Sequence, residues 1–475
     1  MKHPHSRWRH QKTQHREQAG CPSVFGEYFK VAAQACLVLA GGAAIALITA
    51  AFASMVTLVH SWQVRWVDTA PWLAWLLVPS ALAVARWLTL RYAPLAEGSG
   101  IPQVMAAMSL EGRPYRFQLV SLMQSLWKIP LALLALLFGA SIGREGPSVQ
   151  IGAAIMVAWS QFWEKRGLPF HRFQTNELMA TGAAAGLAAA FNAPLAGVIF
   201  AIEELGRDIS LRWYGILVAT VLTTAYVLDT AMGNIAYFGI FTGAALDRHM
   251  LVWTLACAVL CGLTGGLFAW LLTKGPTGVA PAAINGWMRR HPVLVAFLLG
   301  LVVAAIGHFS AYATFGTGYG VTKSAMAGNP VEGDTLGAAK LAATVASYWA
   351  GIPGGIFTPA LTAGAGFGAN LASLTGNLVD QRVLVLLCMA AFLAAATQAP
   401  LTAAVITMEM TSSGSMLLWL LIVSVCASQV SRLICPVPFY HASARVFADR
   451  LRTAHNDTSD GQAQGMLPGK NGADA

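Results

Sequence analysis

The five residues Gly143-Arg144-Glu145-Gly146-Pro147 place a charged pair between two uncharged apolar runs, residues 129–142 and 148–161. An ionised side chain at membrane depth costs at least about 2.5 kcal/mol, so it is retained mostly where it faces a pathway or a partner. Glycine permits backbone conformations that other residues resist, and Pro147 suits the first turn of a new helix. The motif therefore predicts a helix break inside a membrane, with Glu145 at the break.

A helix that begins at such a break directs free backbone N–H groups and a positive dipole end into it. Both features attract an anion. A carboxylate at a position where an anion would bind is typical of a gate. Glu145 is therefore predicted to be a gating residue, and the other elements of the chain must position it.

Composition indicates what those elements are. Hydrophobic residues make up 56% of the chain and charged residues 11%, whereas soluble proteins carry about 25% charged residues. Several uncharged stretches reach or approach the roughly 20 residues of a membrane-spanning helix, namely 35–59, 213–228, 251–273 and 341–379. The chain is predicted to be an all-α polytopic membrane protein. The last stretch is too long for one crossing and is rich in Gly and Pro, so it must break or turn back.

The net charge of +9 lies in loops and tails, which argues against nucleic acid as a partner. The first 20 residues hold five Lys or Arg and one acid, so the positive-inside bias predicts a cytoplasmic N-terminus. This tail has no signal-peptide pattern, and its four histidines indicate a solvated segment rather than a metal site. Seven cysteines without a C-x-x-C pair imply no disulfide framework. No metal and no cofactor are predicted.

An internal repeat relates the two halves of the chain. Residues 188–204 and 394–410 both contain the pattern A-A-A-x-x-A-P-L, which places Glu203 opposite Glu409. The predicted organisation is a basic tail at 1–25, a membrane domain at 26–450 with halves at about 28–235 and 249–450, and a disordered tail at 451–475 with no room for a regulatory domain.

Broken segments also recur in the two halves. Residues 98–108 resemble residues 316–326, and the break at 143–147 corresponds in place to a second break at 354–359. Paired Gly/Pro-interrupted segments are the best sequence indication of a transport site near the membrane midplane. The helix starts expected to converge there are at Ser99, which occupies an N-cap position, after Glu145, and at Ile356-Phe357.

Four sequence motifs resemble those of the CLC chloride channel and transporter family. They are Gly98-Ser-Gly-Ile-Pro102, Gly143-Arg-Glu-Gly-Pro147, Gly354-Gly-Ile-Phe-Thr-Pro359 and Pro438-Phe-Tyr-His-Ala442. The resemblance covers about residues 26–450 and is to prokaryotic members without C-terminal CBS domains. It implies an inverted-repeat fold of tilted and broken helices, with short helices whose N-termini converge on a mid-membrane anion site. It also implies a homodimer with one anion pathway per subunit.

The resemblance implies a role for individual residues. Glu145 corresponds to the external gating glutamate, and Lys128 to an intramembrane lysine near the proton route. The anion-binding positions are Ser99, Tyr440, Ile356, Phe357, Gly146 and Arg144. Without the resemblance, Ser99 is a helix cap, Tyr440 an interfacial aromatic residue, and Lys128 a snorkelling or paired lysine.

The acids Glu203 and Glu204 bear on the choice between an exchanger and a channel. Proton-coupled members of the family carry a glutamate at the position of Glu204, where it takes a proton from the cytoplasm, and Glu203 is its neighbour. Many members have an acid where this chain has Gln103, and some exchangers have another where it has Met105. These two departures put the tightness of proton coupling in question.

The predicted function is chloride/proton antiport by a secondary transporter, with chloride, protons, the lipid bilayer and a second copy of the chain as partners. The alternative is a passive, voltage-gated type of chloride channel with the same fold. Ser99 favours chloride over nitrate or fluoride. An intramembrane hydrolase is disfavoured because the chain has no H-E-x-x-H motif and no pair of aspartates in apolar runs. A structural scaffold would not need an Arg-Glu pair at depth. The predicted location is a bacterial inner membrane.

Overall fold

The computed structural model describes residues 24–168, 173–206, 213–233, 236–241, 243, 250–330, 335–376 and 378–465. Within these ranges every regular element is a helix, apart from two isolated β-bridges. The prediction of an all-α chain is confirmed. Residues 1–23, which make up most of the predicted basic tail, lie outside the described residues.

The helices form two consecutive groups that match the two halves of the sequence. The first group is α1 (Val24–Thr69), α2 (Ala74–Tyr92), α3 (Ile101–Ser109), α4 (Leu122–Leu137), α5 (Glu145–Glu164), α6 (Thr175–Phe191), α7 (Pro194–Phe200) and α8 (Trp213–Met232). The second group is α9 (Met250–Val279), α10 (Ala282–Arg290), α11 (Pro292–Phe309), α12 (Tyr319–Met326), α13 (Leu336–Trp349), α14 (Phe357–Leu374), α15 (Gln381–Thr397), α16 (Pro400–Thr411), α17 (Leu417–Arg432) and α18 (Phe439–Gly465). A π-helical turn, Ala201–Leu205, extends α7.

Seven helical segments of the described chain are long and apolar enough to cross a membrane, and they include α1, α2, α4, α8, α9, α11 and α17. Other helices are too short to do so. The nine residues of α3 rise only about 14 Å, less than half of a hydrocarbon core of about 30 Å. The uncharged stretch 341–379 breaks as predicted, because α13 ends at Trp349 and α14 begins at Phe357.

The repeated A-A-A-x-x-A-P-L pattern folds in the same way in both halves. Asn192 follows the end of α6 and Gln398 follows the end of α15, and both residues adopt the left-handed backbone conformation that commonly terminates a helix. A proline then begins the next helix in each half, where its missing N–H group is not needed. The internal repeat is therefore present in the structure as well as in the sequence.

Glu203 and Glu409 exchange helix caps between the two halves. The Glu203 carboxylate accepts hydrogen bonds from the backbone N–H groups of Leu401 and Thr402, at 3.1 and 2.7 Å. The Glu409 carboxylate accepts from Leu195 and Ala196, at 3.0 and 2.7 Å. Each carboxylate thus satisfies first-turn N–H groups at the positive end of a helix in the other half.

Small residues allow the helices around the site to approach closely. A Cβ atom on Gly152 of α5 would lie 2.2 Å from the carbonyl oxygen of Gly182 on α6. In the second half, a Cβ atom on Gly364 of α14 would lie 2.4 Å from the carbonyl oxygen of Cys388 on α15. These contacts are of the kind that small residues provide between membrane helices.

Helix α18 continues beyond the predicted end of the membrane domain. The prediction placed that end at residue 450, but the helix runs to Gly465. Residues 451–465 are therefore helical rather than disordered as predicted. Residues 466–475 lie outside the described residues.

Candidate anion site

Backbone hydrogen bonds join the three predicted helix breaks. The N–H groups of Gly143 and Gly355 each donate to the carbonyl of the other residue, at 2.7 Å in both directions. Gly98 donates to the carbonyl of Ile352 at 3.2 Å, and Gly354 donates to the carbonyl of Gly98 at 3.1 Å. The loops before α3, α5 and α14, far apart in sequence, therefore meet at one place.

Three helices begin at this place. The structure starts α3 at Ile101, α5 at Glu145 and α14 at Phe357, and none of these described helix starts has a side-chain cap. Their first-turn N–H groups and positive dipole ends point into the region between the loops. Such an arrangement binds anions.

The predicted cap at Ser99 is wrong. The residue at the N-cap is Gly100, whose φ of 112° lies in a region that side chains disfavour. A Cβ atom on Gly100 would also lie 2.5 Å from the carbonyl oxygen of Gly146, and one on Gly146 would lie 2.3 Å from the Ser99 hydroxyl. These glycines let the loop before α3 contact the start of α5, which leaves the Ser99 hydroxyl beside that helix start.

The hydroxyls of Ser99 and Tyr440 are buried, with side chains 1% and 0% exposed. Neither hydroxyl meets the geometry of a hydrogen bond to any group in the described structure, although the two hydroxyls lie near each other. The Tyr440 ring stacks on Phe357 with centroids 6.0 Å apart. Because buried polar groups nearly always have partners, two such hydroxyls beside a helix N-terminus indicate a site for a bound anion or water.

Glu145 is fully buried where the loops meet. Its Oε1 accepts a hydrogen bond from the Thr358 hydroxyl, and its Oε2 has no partner among the described residues. A Cβ atom on Gly143 would lie 2.0 Å from this Oε2, and one on Gly355 would lie 3.0 Å from it. The two glycines therefore provide the space that the carboxylate occupies.

Arg144 lies beside this carboxylate and interacts with it electrostatically. Its guanidinium donates to the carbonyl of Ala190 at 3.1 Å and lies 5.4 Å from the centre of the Tyr237 ring. The structure thus places the positive charge of Arg144 next to Glu145, with the direct contacts of the guanidinium made to Ala190 and Tyr237.

Glu203 and Glu204 have different surroundings although they are adjacent. Glu203 caps α16, as described above. Glu204 lines a cavity of about 420 Å³ and lies 4.0 Å from Nε2 of His441. It is also within electrostatic range of the Tyr440 hydroxyl. The predicted pair of acids therefore divides into one that holds a helix start and one that lies near the anion site.

Lys128 holds the loop that carries Ser99. Its Nζ is buried and donates to the carbonyl of Gly98 at 3.0 Å. Gln103 is buried beneath the same loop and donates to the carbonyl of Glu97 at 2.6 Å. Met105 lines the cavity next to Glu204.

Three residues near the site were not singled out from the sequence: Thr358, Tyr237 and His441. Thr358 and His441 lie inside motifs that the sequence analysis used, so their positions offered a signal. Tyr237 lies in a connection between helices, where no sequence pattern marked it.

The sequence profile described as "Voltage gated chloride channel" matches residues 81–432, most of the chain. This chain belongs to that family. The resemblance to the CLC family is therefore confirmed. As a family member, the chain is an integral membrane protein and a transport protein rather than an enzyme.

Known proteins similar to this CLC family member are consistent with the family assignment. The H(+)/Cl(−) exchange transporter ClcA of Cronobacter sakazakii (strain ATCC BAA-894) is 32% identical over 399 residues, which cover 78% of this chain and 79% of the relative. A slow cyanobacterial Cl⁻/H⁺ antiporter has a similar structure, with a TM-score of 0.74 at 26% identity, covering 88% of this chain and 98% of that one. A CLC-type fluoride/proton antiporter has a TM-score of 0.70 at 21% identity, with the same coverage, and supports the fold alone.

Proposed function

We propose that this CLC family member exchanges chloride for protons, with Glu145 as the gate and Glu204 as the internal proton acceptor. One observation carries the proposal. The buried Tyr440 hydroxyl belongs to the candidate anion site where the buried Glu145 lies, and the residue that follows it, His441, lies 4.0 Å from Glu204. An anion bound at this hydroxyl and a proton carried by either acid would therefore influence each other directly.

In the proposed mechanism, chloride binds between the hydroxyls of Ser99 and Tyr440 and the N–H groups of Ile356 and Phe357. The Glu145 carboxylate competes for the same positive region at the helix starts. When Glu145 takes up a proton, it loses its negative charge and its attraction to that region, so it leaves the path and chloride passes. When it loses the proton, the carboxylate returns and displaces the anion.

Glu204, rather than Glu203, is proposed to exchange the proton with the cytoplasm. The Glu203 carboxylate is occupied by the N–H groups of Leu401 and Thr402 and by the Thr402 hydroxyl at 2.7 Å. Glu204 lines a cavity that includes exposed residues, so water can reach its vicinity. The proposal therefore keeps one of the two predicted acids in the proton route.

A passive chloride channel is the second candidate. Gln103 and Met105 favour it, because both are neutral. Many family members have an acid at the position of Gln103, and some exchangers have one at the position of Met105, which lines the Glu204 cavity. The proposed assembly is a homodimer in a bacterial inner membrane with the N-terminus in the cytoplasm, as in relatives of this family.

The test uses purified protein in liposomes, with chloride flux and external pH recorded together. An imposed chloride gradient should drive protons uphill, and Glu204→Gln should abolish the proton movement while chloride still flows. Chloride movement without protons in the wild type would instead identify a channel. Loss of proton movement in Glu203→Gln but not in Glu204→Gln would assign the acceptor role to Glu203.

A further inference from the structure

The cavity beside Glu204 contains a residue that the proposed mechanism does not use. His441 follows Tyr440 on α18, and its Nε2 lies 4.0 Å from Oε2 of Glu204. The His441 side chain is 21% exposed, whereas that of Glu204 is 5% exposed. His441 therefore reaches further towards water than the acid does, while remaining next to it.

Charged and polar groups from several elements line the cavity around His441. Glu204 comes from the π-helical turn and Glu111 from the loop after α3, while α6 contributes the neutral Asn176. On α18 itself the cavity is lined by Arg445, Asp449 and Arg452. Three acids and two arginines thus line the cavity together with the imidazole.

An imidazole can accept a proton from water on one ring nitrogen and release one from the other, and it changes charge between pH 5 and 8. At 4.0 Å, Nε2 and the carboxylate oxygen are too far apart for a direct hydrogen bond, but one bridging water or a small side-chain rotation closes the gap. No second histidine lines this cavity among the described residues.

We propose that His441 is the relay through which protons pass between the aqueous cavity and Glu204. In the inward step, the N–H bond at Nε2 of the imidazolium breaks and an O–H bond forms on Glu204. The neutral imidazole then takes a proton from a hydronium ion in the cavity, which becomes water, and the sequence runs in reverse for release. This inference rests on the proposed role of Glu204.

The experiment measures chloride and proton turnover in liposomes with equal pH on both sides, so that the orientation of the protein does not matter. The wild type is compared with His441→Gln over the range in which imidazole titrates, about pH 5 to 8. His455→Gln is the matched control, because His455 lies on the same helix but packs against Tyr115, with ring centroids 4.7 Å apart. Size-exclusion profiles establish that all three proteins are folded.

We expect turnover of His441→Gln to be roughly three- to tenfold lower at pH 6, because water alone relays protons less well than a positioned side chain. The part of the pH profile that reflects imidazole titration should also be lost. A second variant, His441→Ala, should regain turnover when free imidazole is added to the buffer. His455→Gln should match the wild type.

The inference fails if His441→Gln keeps both the turnover and the pH profile of the wild type, or if imidazole does not rescue a folded and slowed His441→Ala. Failure of the proposed function gives a different result. In that case the wild type itself moves no protons, or Glu204→Gln still does.

Discussion

Lys128 and Lys340 make equivalent contacts in the two halves of the chain. Lys128 donates to the carbonyl of Gly98 at 3.0 Å, and Lys340 donates to the carbonyl of Gly316 at 2.7 Å. The sequence repeat pairs these two glycines, and each precedes a short helix, α3 or α12. Both ammonium groups are fully buried. Each half therefore uses a buried lysine to anchor the loop before a short helix.

The two lysines should differ in their effect on transport. Lys128→Met removes one of the two donors to the Gly98 carbonyl and leaves only the N–H group of Gly354, so we expect weaker chloride binding and a lower melting temperature. Lys340→Met removes the corresponding contact in the second half of the chain, which is not next to Ser99. It should therefore lower the melting temperature without changing chloride binding. Calorimetric chloride titration and thermal unfolding in detergent measure the two effects. Equal loss of chloride affinity in both variants would contradict a specific role for Lys128 at the site.

The hydroxyls of Ser99 and Tyr440 should each contribute to chloride binding. A hydrogen bond to a charged group contributes about 1.5–3 kcal/mol, so Ser99→Ala and Tyr440→Phe should each weaken chloride binding by at least about tenfold. Isothermal titration with chloride checks this. Ser424→Ala is the control, because Ser424 is likewise a buried serine whose hydroxyl lacks a partner in the described structure, but it lies on α17. Unchanged affinity in Ser99→Ala would remove that hydroxyl from the site.

The hydrogen bond from Thr358 to Glu145 should slow the departure of the Glu145 carboxylate from the anion path. Its hydroxyl donates to Glu145, so Thr358→Val, which keeps the shape of the side chain, frees the carboxylate to leave the anion path more often. We expect chloride turnover to rise by about tenfold or more, in line with the loss of one hydrogen bond to a charged group. Thr362→Val, one turn further along α14, should not change turnover, because that hydroxyl contacts Thr317 and Thr358 backbone carbonyls. A slower Thr358→Val would indicate that the bond assists opening.

Glu203 and Glu409 should matter for stability. Losing a helix cap costs about 0.5–2 kcal/mol, so Glu203→Ala and Glu409→Ala should each lower the melting temperature by several degrees. Protein that remains folded should keep its ratio of chloride to protons, because neither carboxylate is in the proposed proton route. Thermal unfolding and paired flux measurements test both statements. A changed ratio of chloride to protons in folded Glu203→Ala would indicate that Glu203 takes part in the proton route.

Glu97 should make stability depend on acid pH. It lies in the loop before α3, outside the membrane-spanning helices, and contacts Arg86 at 2.9 Å as well as Arg450. Burial alone would raise the pKa of Glu97, but the two arginines lower it below its ordinary value. A lowered pKa stabilises the fold above the unfolded value of about 4.3, and this contribution is lost as pH falls through the folded value. Thermal unfolding should therefore show a smaller loss of stability below about pH 4 in Glu97→Gln than in the wild type.

The broken helices were predictable because their signals are local. Short sequence patterns mark these breaks, namely a charged pair in an apolar run, or glycine and proline inside a membrane stretch. The breaks around Glu145 and Ile356 were therefore predicted from the sequence. The pairing of Glu203 with Glu409 was also visible, because a repeat compares the chain with itself.

The contacts that each acid makes were not predictable from the residues alone. Glu203 and Glu204 have identical chemistry and adjacent positions, and only the course of the π-helical turn decides which one caps α16 and which one faces His441. The Ser99 hydroxyl is buried but does not cap α3. The N-cap position falls one residue later, at Gly100, which has a positive φ. Such outcomes depend on contacts between distant segments, which no local pattern encodes.

The exchange of caps by Glu203 and Glu409 has a consequence for biosynthesis. The N–H group of Leu195 at the start of α7 donates to the carboxylate of Glu409, which is synthesised 214 residues later. At about 5–20 residues per second, a ribosome takes roughly 10–40 s to reach it. During that interval the first half lies in the membrane with an unfinished helix start. We therefore expect the newly made half to be held by the insertion machinery, or to keep this helix near water, until its counterpart arrives.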